Sequence, residues 1–360
     1  MQLRRLALQH FRNIAWAELA VPAGCTALVG ANGQGKTNVL EAVGLLTALR
    51  SFRQTDNRLL IAHGQPEAAL RFELEHERFG TTSVIIRLRP DSKEVAVDGT
   101  PVTRLGDFLG RFPAVVFSTQ DNQLIRGSPA ARRRWLDLVL ASMDAAYFDA
   151  LQRYHRALAE RNRLLKGPPD PAQLAAFEQP LAAAAAAVVR ARSAGVAELS
   201  VRVRAAYGVV AAQAEPADLV YEADADEGDE GAWAALFAAT RERDIQWKAT
   251  TRGPHRDDLD LTLAGRSSRD FGSEGQQRSL VLALRLAQLA HFRERSGVQP
   301  LVLADDVLGE LDPDRRRRFW AAIEPGAQVL ATGTVVPEVS SGGWQVVRVA
   351  GGVLTPETVT

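Results

Sequence analysis

Residues 30–37 read Gly-Ala-Asn-Gly-Gln-Gly-Lys-Thr, and they stand between two runs of different periodicity. Cys25–Val29 is an apolar run of strand length, and Gly35–Arg50 carries Val39, Leu40, Val43 and Leu46 at helical spacing. A strand that turns through glycines into a helix gives the pattern GxxxxGK[ST] its required context. Loop glycines let backbone N–H groups wrap a phosphate, and the helix N-terminus adds partial positive charge. The segment predicts an α/β fold with a phosphate cradle built from Gly30, Ala31, Asn32, Gly33, Gln34, Gly35, Lys36, Thr37 and Asn38. Lys36 is placed to bridge β- and γ-phosphates and Thr37 to ligate Mg²⁺, so the expected cofactors are ATP and Mg²⁺. A dinucleotide fold is excluded, because Gly30, Gly33 and Gly35 come in the wrong order for GxGxxG.

A second apolar run, Leu301-Val302-Leu303-Ala304, ends in Asp305 and Asp306. An open α/β sheet binds its ligand at the carboxyl ends of its strands, where this run delivers two acids. Asp305 is expected to hold Mg²⁺ through the metal's water shell, and Asp306 to orient or deprotonate the attacking water. Two acids before a helix would otherwise read as helix caps; the cradle upstream favours the catalytic reading.

Between these lies Phe-Gly-Ser-Glu-Gly-Gln-Gln-Arg-Ser (271–279), opening an amphipathic helix with Leu280, Leu284, Ala287 and Leu289 on one face. A Ser-x-Gly loop on a helix N-terminus is a second anion site. It resembles the ATP-binding-cassette (ABC) signature: Ser273, Gly275 and Gln276 match, while Glu274 replaces a glycine. In that superfamily the loop reaches the γ-phosphate held by the opposite subunit. The resemblance therefore implies a head-to-tail, ATP-dependent homodimer, with Ser273 catalytic alongside Lys36 and Asp306. Gly309–Asp312 (GELD) resembles the D-loop, with glycine in place of its serine.

The cradle continues as Lys-Thr-Asn-Val-Leu-Glu-Ala, similar to the heads of SMC and double-strand-break-repair ATPases rather than to the transporter pattern GKST. The distance from Lys36 to Ser273 is too long for a transporter cassette and far too short for SMC arms. Phe11-Arg12-Asn13, Arg50-Ser-Phe-Arg53, the stretch from Gln123 to Asp137 (QLIRGSPAARRRWLD) and Arg252–Asp258 (RGPHRDD) complete a resemblance over nearly the whole chain. The family resembled is RecF, compact bacterial ATPases of the ABC/SMC-like class. It implies a P-loop ATPase with a mixed sheet, antiparallel N-terminal strands and an inserted helical arm. It also implies repair of gapped DNA with RecR and RecO, loading of a recombinase, and a part in replication restart and the SOS response. A transporter-energising cassette and a non-enzymatic clamp glued by ATP are the competing expectations.

Three departures from the superfamily pattern bear on turnover. Gln120, after the strand Ala114–Phe117, is the best Q-loop candidate; the strand Val329–Ala331 is followed by Thr332-Gly333-Thr334 rather than a switch histidine; and the catalytic acid is Asp306 rather than glutamate. Together they imply slow hydrolysis suited to a timed switch; stimulation by DNA is expected from the family resemblance. Candidate DNA contacts are Arg50, Arg53 and Arg58 after the cradle helix, and Arg132 and Arg133 in the run Arg132–Arg134. For Arg132–Arg134 the Gly-Ser-Pro turn beside a sheet end leaves an internal role open as well, and Arg315–Arg318 read as a solvated or ion-paired helix face. Aromatic residues do not interleave with these arginines, so stacking on single strands has no support in the sequence.

Net charge is zero over 360 residues, so bulk electrostatics neither announce nor exclude a nucleic-acid partner. The 39 arginines against 4 lysines read as a GC-rich codon bias. A lone cysteine, Cys25, expected in a buried strand, excludes an internal disulfide and suits a reducing compartment. The six histidines show no metal-ligand spacing. The longest apolar run, from Leu181, is cut at Arg190, and the N-terminus lacks an apolar signal core; a cytoplasmic protein without a membrane partner is expected.

Strands are expected at Gln2–Gln9, Ala15–Val21, Ala69–Leu74, Ser83–Leu88, Glu94–Val97, Asp258–Leu263, Pro300–Ala304, Val329–Thr332 and Gln345–Val349. Asp98-Gly99 supplies a hairpin turn, Glu274–Arg295 a helix, and Asp224–Glu230 a solvated acidic loop. Pro129 to about Ala212 reads as two long antiparallel helices broken at Gly167–Pro171. The chain then divides into 1–128, a first ATPase lobe with the cradle; 129–245, a mostly helical arm; and 246–360, a lobe with the signature, acids and D-loop.

Overall fold

Alternating apolar residues at the N-terminus build an antiparallel sheet. β1 (Gln2–Phe11) pairs with β2 (Ile14–Ala20) through a turn at Arg12-Asn13, and with β4 (Ala68–His76) on its other edge. β3 (Cys25–Val29) and α1 (Lys36–Ala48) intervene in sequence and belong elsewhere. β5 (Gly80–Leu88), β6 (Lys93–Val97) and the short β7 (Thr100–Pro101) extend the sheet in the order β2-β1-β4-β5-β6-β7. Asp98 and Gly99 both take positive φ, 51° and 77°, as a primed hairpin turn requires. β8 (Ala114–Ser118) closes this stretch.

The chain then runs through α2 (Gln123–Arg126), α3 (Pro129–Met143), α4 (Ala145–Lys166) and α5 (Pro171–Val210). The expected pair of helices is a trio. Asp144 leaves the helical region (φ −138°) and its carboxylate caps α4 by accepting from the N–H groups of Ala146 and Tyr147. Next come β9 (Ala217–Glu222), α6 (Glu230–Trp247), β10 (Asp258–Leu263), β11 (Arg266–Ser267), α7 (Ser268–Phe271) and α8 (Glu274–Ser296). The order β11-β10-β9 makes a small antiparallel sheet. The acidic stretch is more than a solvated loop: Asp224 accepts from Arg252 and from the N–H of Gly253, and Asp229 caps α6. Residues 226–227 of that stretch lie outside the described residues.

β12 (Leu301–Asp305), α9 (Val307–Glu310), α10 (Pro313–Ala322), β13 (Val329–Gly333), β14 (Trp344–Ala350) and β15 (Val353–Pro356) complete the chain. The second large sheet has the order β15-β14-β3-β13-β12-β8, parallel except for β15. β12 is buried at every position, which is why it reads as a continuous apolar run rather than an alternating one. Cys25 sits in β3 as expected but only half-buried.

The computed structural model describes residues 1–53, 56–168, 170–211, 215–225, 228–336 and 343–357. The chain forms two compact units, Met1–Asp121 with Ala206–Ala212 and Leu282–Thr360, and Asn122–Ala205 with Gln213–Val281. Residues 246–281, grouped by sequence with the C-terminal lobe, lie in the second unit. The core of the first joins Leu6, Phe11, Leu40, Val43, Phe72, Ile86 and Leu303, side chains worth roughly 1.5–3 kcal/mol each in burial. The 40-residue α5, most of it in the second unit, is long and apolar enough by composition to cross a membrane, and it continues as helix past Arg190, where the run of apolar side chains stops. Its Arg192, however, is 2% exposed and paired with Asp137 and Asp257, the environment of a core helix.

Candidate functional site: a phosphate cradle facing two acids

The cradle is held from three sides within the first unit. Gly35 takes φ 109° at the N-cap of α1, and a Cβ there would lie 2.7 Å from Oδ1 of Asn13. Gly30 has no room either, since a Cβ would meet the carbonyl of Val349 at 2.2 Å. The Asn13 amide donates to the Gln34 carbonyl at 3.1 Å, and the N–H of Gly352 donates to the same oxygen at 2.9 Å. Gly351 donates to the Gln34 side chain at 2.7 Å. Thus the β1–β2 and β14–β15 turns grip the glycine loop at the N-terminus of α1. Lys36 is buried, its ammonium donating to the carbonyls of Gly30 and Ala31 at 2.9 and 3.0 Å.

Thr37 opens toward β12: its hydroxyl donates to Oδ1 of Asp305 at 2.7 Å. Thr332, at the end of β13, donates to the same oxygen at 3.0 Å and accepts from the Asp306 N–H at 2.9 Å. Burial pushes the Asp305 carboxyl above its ordinary range and Asp306 adds to the rise, while the Thr37 and Thr332 hydroxyls and Arg53 oppose it. A buried carboxylate beside a hydroxyl is a hard-oxygen donor set with few protein ligands, and it fits Mg²⁺, which keeps most of its waters. Among the described residues no group of three or more His, Cys, Asp or Glu side chains is arranged to hold a metal on its own. The helix-cap alternative fails for Asp306, whose side chain makes no cap hydrogen bond to α9.

Asn38, expected at the nucleotide, is engaged by its neighbours. Its amide donates to Asn13 at 2.8 Å, and its carbonyl oxygen accepts from Arg53 at 3.0 Å. Arg12 pairs bidentately with the fully buried Glu41, at 2.9 and 2.7 Å. Gln120 is exposed, two residues beyond Ser118, the register partner of Asp305. Sequence reasoning assigned no role to Asn13, Glu41, Gly351, Gly352 or Thr332. The Phe-Arg-Asn motif and the Ala-Thr-Gly-Thr at the switch position were the available signals.

In the second unit the signature forms a capping box. The Ser273 N–H donates to Oε1 of Gln276 at 2.7 Å, and the Gln276 N–H donates to Oγ of Ser273 at 3.3 Å. Gln277 is buried and anchors the loop through the carbonyls of Ser268 and Gly272, at 2.7 and 3.2 Å. Ser273 and Glu274 face solvent, and Gly275 is half-exposed, at the start of the 23-residue α8.

The arginine candidates divide. Arg50 is exposed, Arg58 pairs with Asp91 on the surface at 3.0 Å, and Arg53 turns inward to Asn38 and Glu41. Arg132 is corrected: it is 1% exposed, clasps Asp258 through two bonds of 2.7 Å and donates to the Gly127 carbonyl, so no DNA phosphate can reach it. Arg133 is half-buried and donates to the Asp257 carbonyl at 2.5 Å; burial and Arg192 push its pKa down. Arg315 and Arg317 pair with Asp312 and Asp314 on their own helix segment.

Comparison with known proteins converges on one family. Residues 2–349 match the RecF/RecN/SMC N-terminal domain model. The chain is 37% identical to the DNA replication and repair protein RecF of Synechococcus sp. (strain JA-2-3B'a(2-13)), covering 99% of this chain and 98% of that one. It is 39% identical to RecF of Thermosynechococcus vestitus, covering 93% and 91%. A solved structure of the recombination mediator protein RecF with ATP, of the RecFOR pathway, superposes with a TM-score of 0.91 at 27% identity, over 99% of this chain and 97% of that one. An SMC head bound to the C-terminal winged-helix domain of ScpA shares the fold alone, at TM-score 0.56 and 15% identity. The chain belongs to the RecF family of DNA replication and repair proteins.

Proposed function

We propose that this chain is an ATP-binding protein of DNA replication and repair that hydrolyses ATP slowly to reset a DNA-bound dimer. The observation that carries the reading is the meeting of Lys36, Thr37, Asp305 and Asp306 around one cradle, together with a capped signature helix whose Ser273 is open to solvent. Lys36 would bridge the β- and γ-phosphates, and the N–H groups of Gly33 to Thr37 would surround them. Thr37 and Asp305 would hold Mg²⁺, whose charge neutralises the phosphate oxygens. Asp306 would orient the attacking water and accept its proton. Ser273, Gly275 and Gln276 would reach the γ-phosphate bound by a second copy, so that ATP closes a head-to-tail homodimer. Closure on gapped or junction DNA, in company with RecR and RecO, would help load a recombinase. DNA would stimulate the slow hydrolysis that releases the dimer. Two solved structures of RecF of the RecFOR pathway, one with ATP and one with ATPrS, support this assignment.

Light scattering of the purified chain with no nucleotide, with ADP and with a non-hydrolysable ATP analogue, each with and without gapped duplex, tests it. A dimer formed only with the ATP analogue is expected, and Asp306→Asn should accumulate that dimer on ATP itself. A monomer under every condition would remove the clamp and leave a plain P-loop ATPase.

A further inference from the structure

β13 lies between β3, whose end opens the phosphate loop, and β12, whose end carries the two acids. Thr332 on this strand is 2% exposed, and both capacities of its hydroxyl are used. It donates to Asp305 Oδ1 at 3.0 Å and accepts from the Asp306 N–H at 2.9 Å. The second bond matters because Asp306 has φ 55°, a left-handed conformation that non-glycine residues adopt only when their surroundings impose it. The Asp306 side chain is not spent on capping α9, so its carboxylate is left to act elsewhere.

We infer that Thr332 is a positioning residue for the hydrolytic step. One hydroxyl locks the carboxylate of Asp305 and the strained backbone of Asp306 into a single rigid group. The proton acceptor for the attacking water is thereby aimed from β13 without a histidine, the role taken over by a threonine one residue before Gly333. This rests on the ATPase reading above and names how its acid is held. Valine matches threonine in shape but can neither donate nor accept, whereas serine keeps both bonds.

The test is Thr332→Val beside Thr332→Ser in the full chain, with Thr332→Ala carrying the same test should the valine variant not fold. Three quantities are measured: affinity for a fluorescent ATP analogue with Mg²⁺, kcat at saturating ATP, and mass by light scattering. Thr332→Val should keep affinity within about threefold, lose at least about tenfold in kcat and accumulate the ATP-bound dimer; Thr332→Ser should stay within about threefold in kcat. Parental kcat in Thr332→Val, or affinity falling in step with turnover, would overturn the inference while leaving an active parent and the ATPase reading intact. An unaltered parent that binds ATP and never turns it over would remove both.

Discussion

The Thr37 hydroxyl donates to Oδ1 of Asp305 across 2.7 Å, joining residues 268 positions apart in the chain. β3 and β12 flank β13 and run parallel to it, so the loop after one and the acid ending the other arrive at the same edge. Preorganised in this way, the two proposed metal donors need no rearrangement to meet a cation. Thr37→Ala should lower Mg²⁺-dependent ATP affinity by about tenfold or more and change Mg²⁺-free nucleotide binding little. Calorimetry with and without Mg²⁺ separates the two; equal losses in both would indicate a collapsed cradle instead.

Asn13 is the side chain that ties the phosphate loop to the antiparallel sheet, through Gln34 on one side and Asn38 on the other. Asn13→Ala leaves the amide of Asn38 without this acceptor and the Gln34 carbonyl with one donor fewer, a cost of roughly 1–3 kcal/mol by the usual penalty for lost partners. If the loop holds the phosphate as proposed, most of that cost should appear in nucleotide affinity, a loss of the order of tenfold. Unchanged affinity for ATP in this variant would mean that the loop holds its shape without the clamp.

Much of this was legible in the sequence because the cradle, the acids and the signature each depend on local spacing. Glycine order and strand–loop–helix context locate Lys36 and Thr37, and β12 announces itself as an apolar run because both of its faces are buried. What escaped depends on contacts far apart in the chain. The Ala-Thr-Gly-Thr stretch marks the switch position, but nothing in it reveals that the Thr332 hydroxyl serves two residues 27 and 26 positions away. The break between α3 and α4 rests on Asp144, which has a common helical neighbourhood and acts only through its capping bonds. β9 was missed because a six-residue edge strand carries little alternation of its own. Arg132 looked like a phosphate ligand because sequence shows charge but not the Asp258 partner that buries it.

Arg132 supplies a prediction that separates structure from DNA binding. Arg132 is buried and Asp258 is 20% exposed, and removing the arginine leaves the carboxylate only the Leu259 N–H and Arg269 at 3.9 Å, so Arg132→Ala should destabilise the second unit by roughly 3 kcal/mol, the lower end of the cost of breaking a buried pair. Arg50→Ala, on an exposed side chain, should leave the unfolding free energy within about 0.5 kcal/mol of the parent's. A stable Arg132→Ala protein that had lost only DNA affinity would overturn the internal role.

His255 gives the second unit a pH dependence. Its Nδ1 accepts from the Tyr154 hydroxyl at 2.7 Å and its Nε2–H donates to the Thr250 carbonyl at 3.0 Å, a pairing that needs the neutral ring. Burial lowers its pKa first, Arg256 and Arg133 lower it further, and the Thr250 bond and Asp224 oppose them. Because the unfolded chain takes up the proton at about 6.5, the contribution is present above that pH and is lost as pH falls below it toward the depressed folded value. Denaturation midpoints should therefore drop between about pH 7.5 and about pH 5.5, and His255→Gln should flatten that slope while lowering stability at the upper pH. Part of the slope should persist through His76, which burial also holds below its ordinary value.

Ser273 has two duties that one substitution can separate. Its hydroxyl caps α8 inside its own subunit, and on the clamp reading it meets the γ-phosphate of another. Alanine would confuse them, since losing an N-cap typically costs about 1 kcal/mol. Aspartate is as good a cap as serine and favours the positive end of the α8 dipole, so Ser273→Asp should fold with a midpoint at or slightly above the parent's. The same carboxylate placed against a γ-phosphate sets like charges together with little water between them. ATP binding to the subunit's own cradle should survive in Ser273→Asp, and the ATP-dependent dimer should be lost. A Ser273→Asp protein that dimerised on ATP as readily as the parent would show that α8 does not face the nucleotide of a second copy, and the signature would then be a capped helix and nothing more.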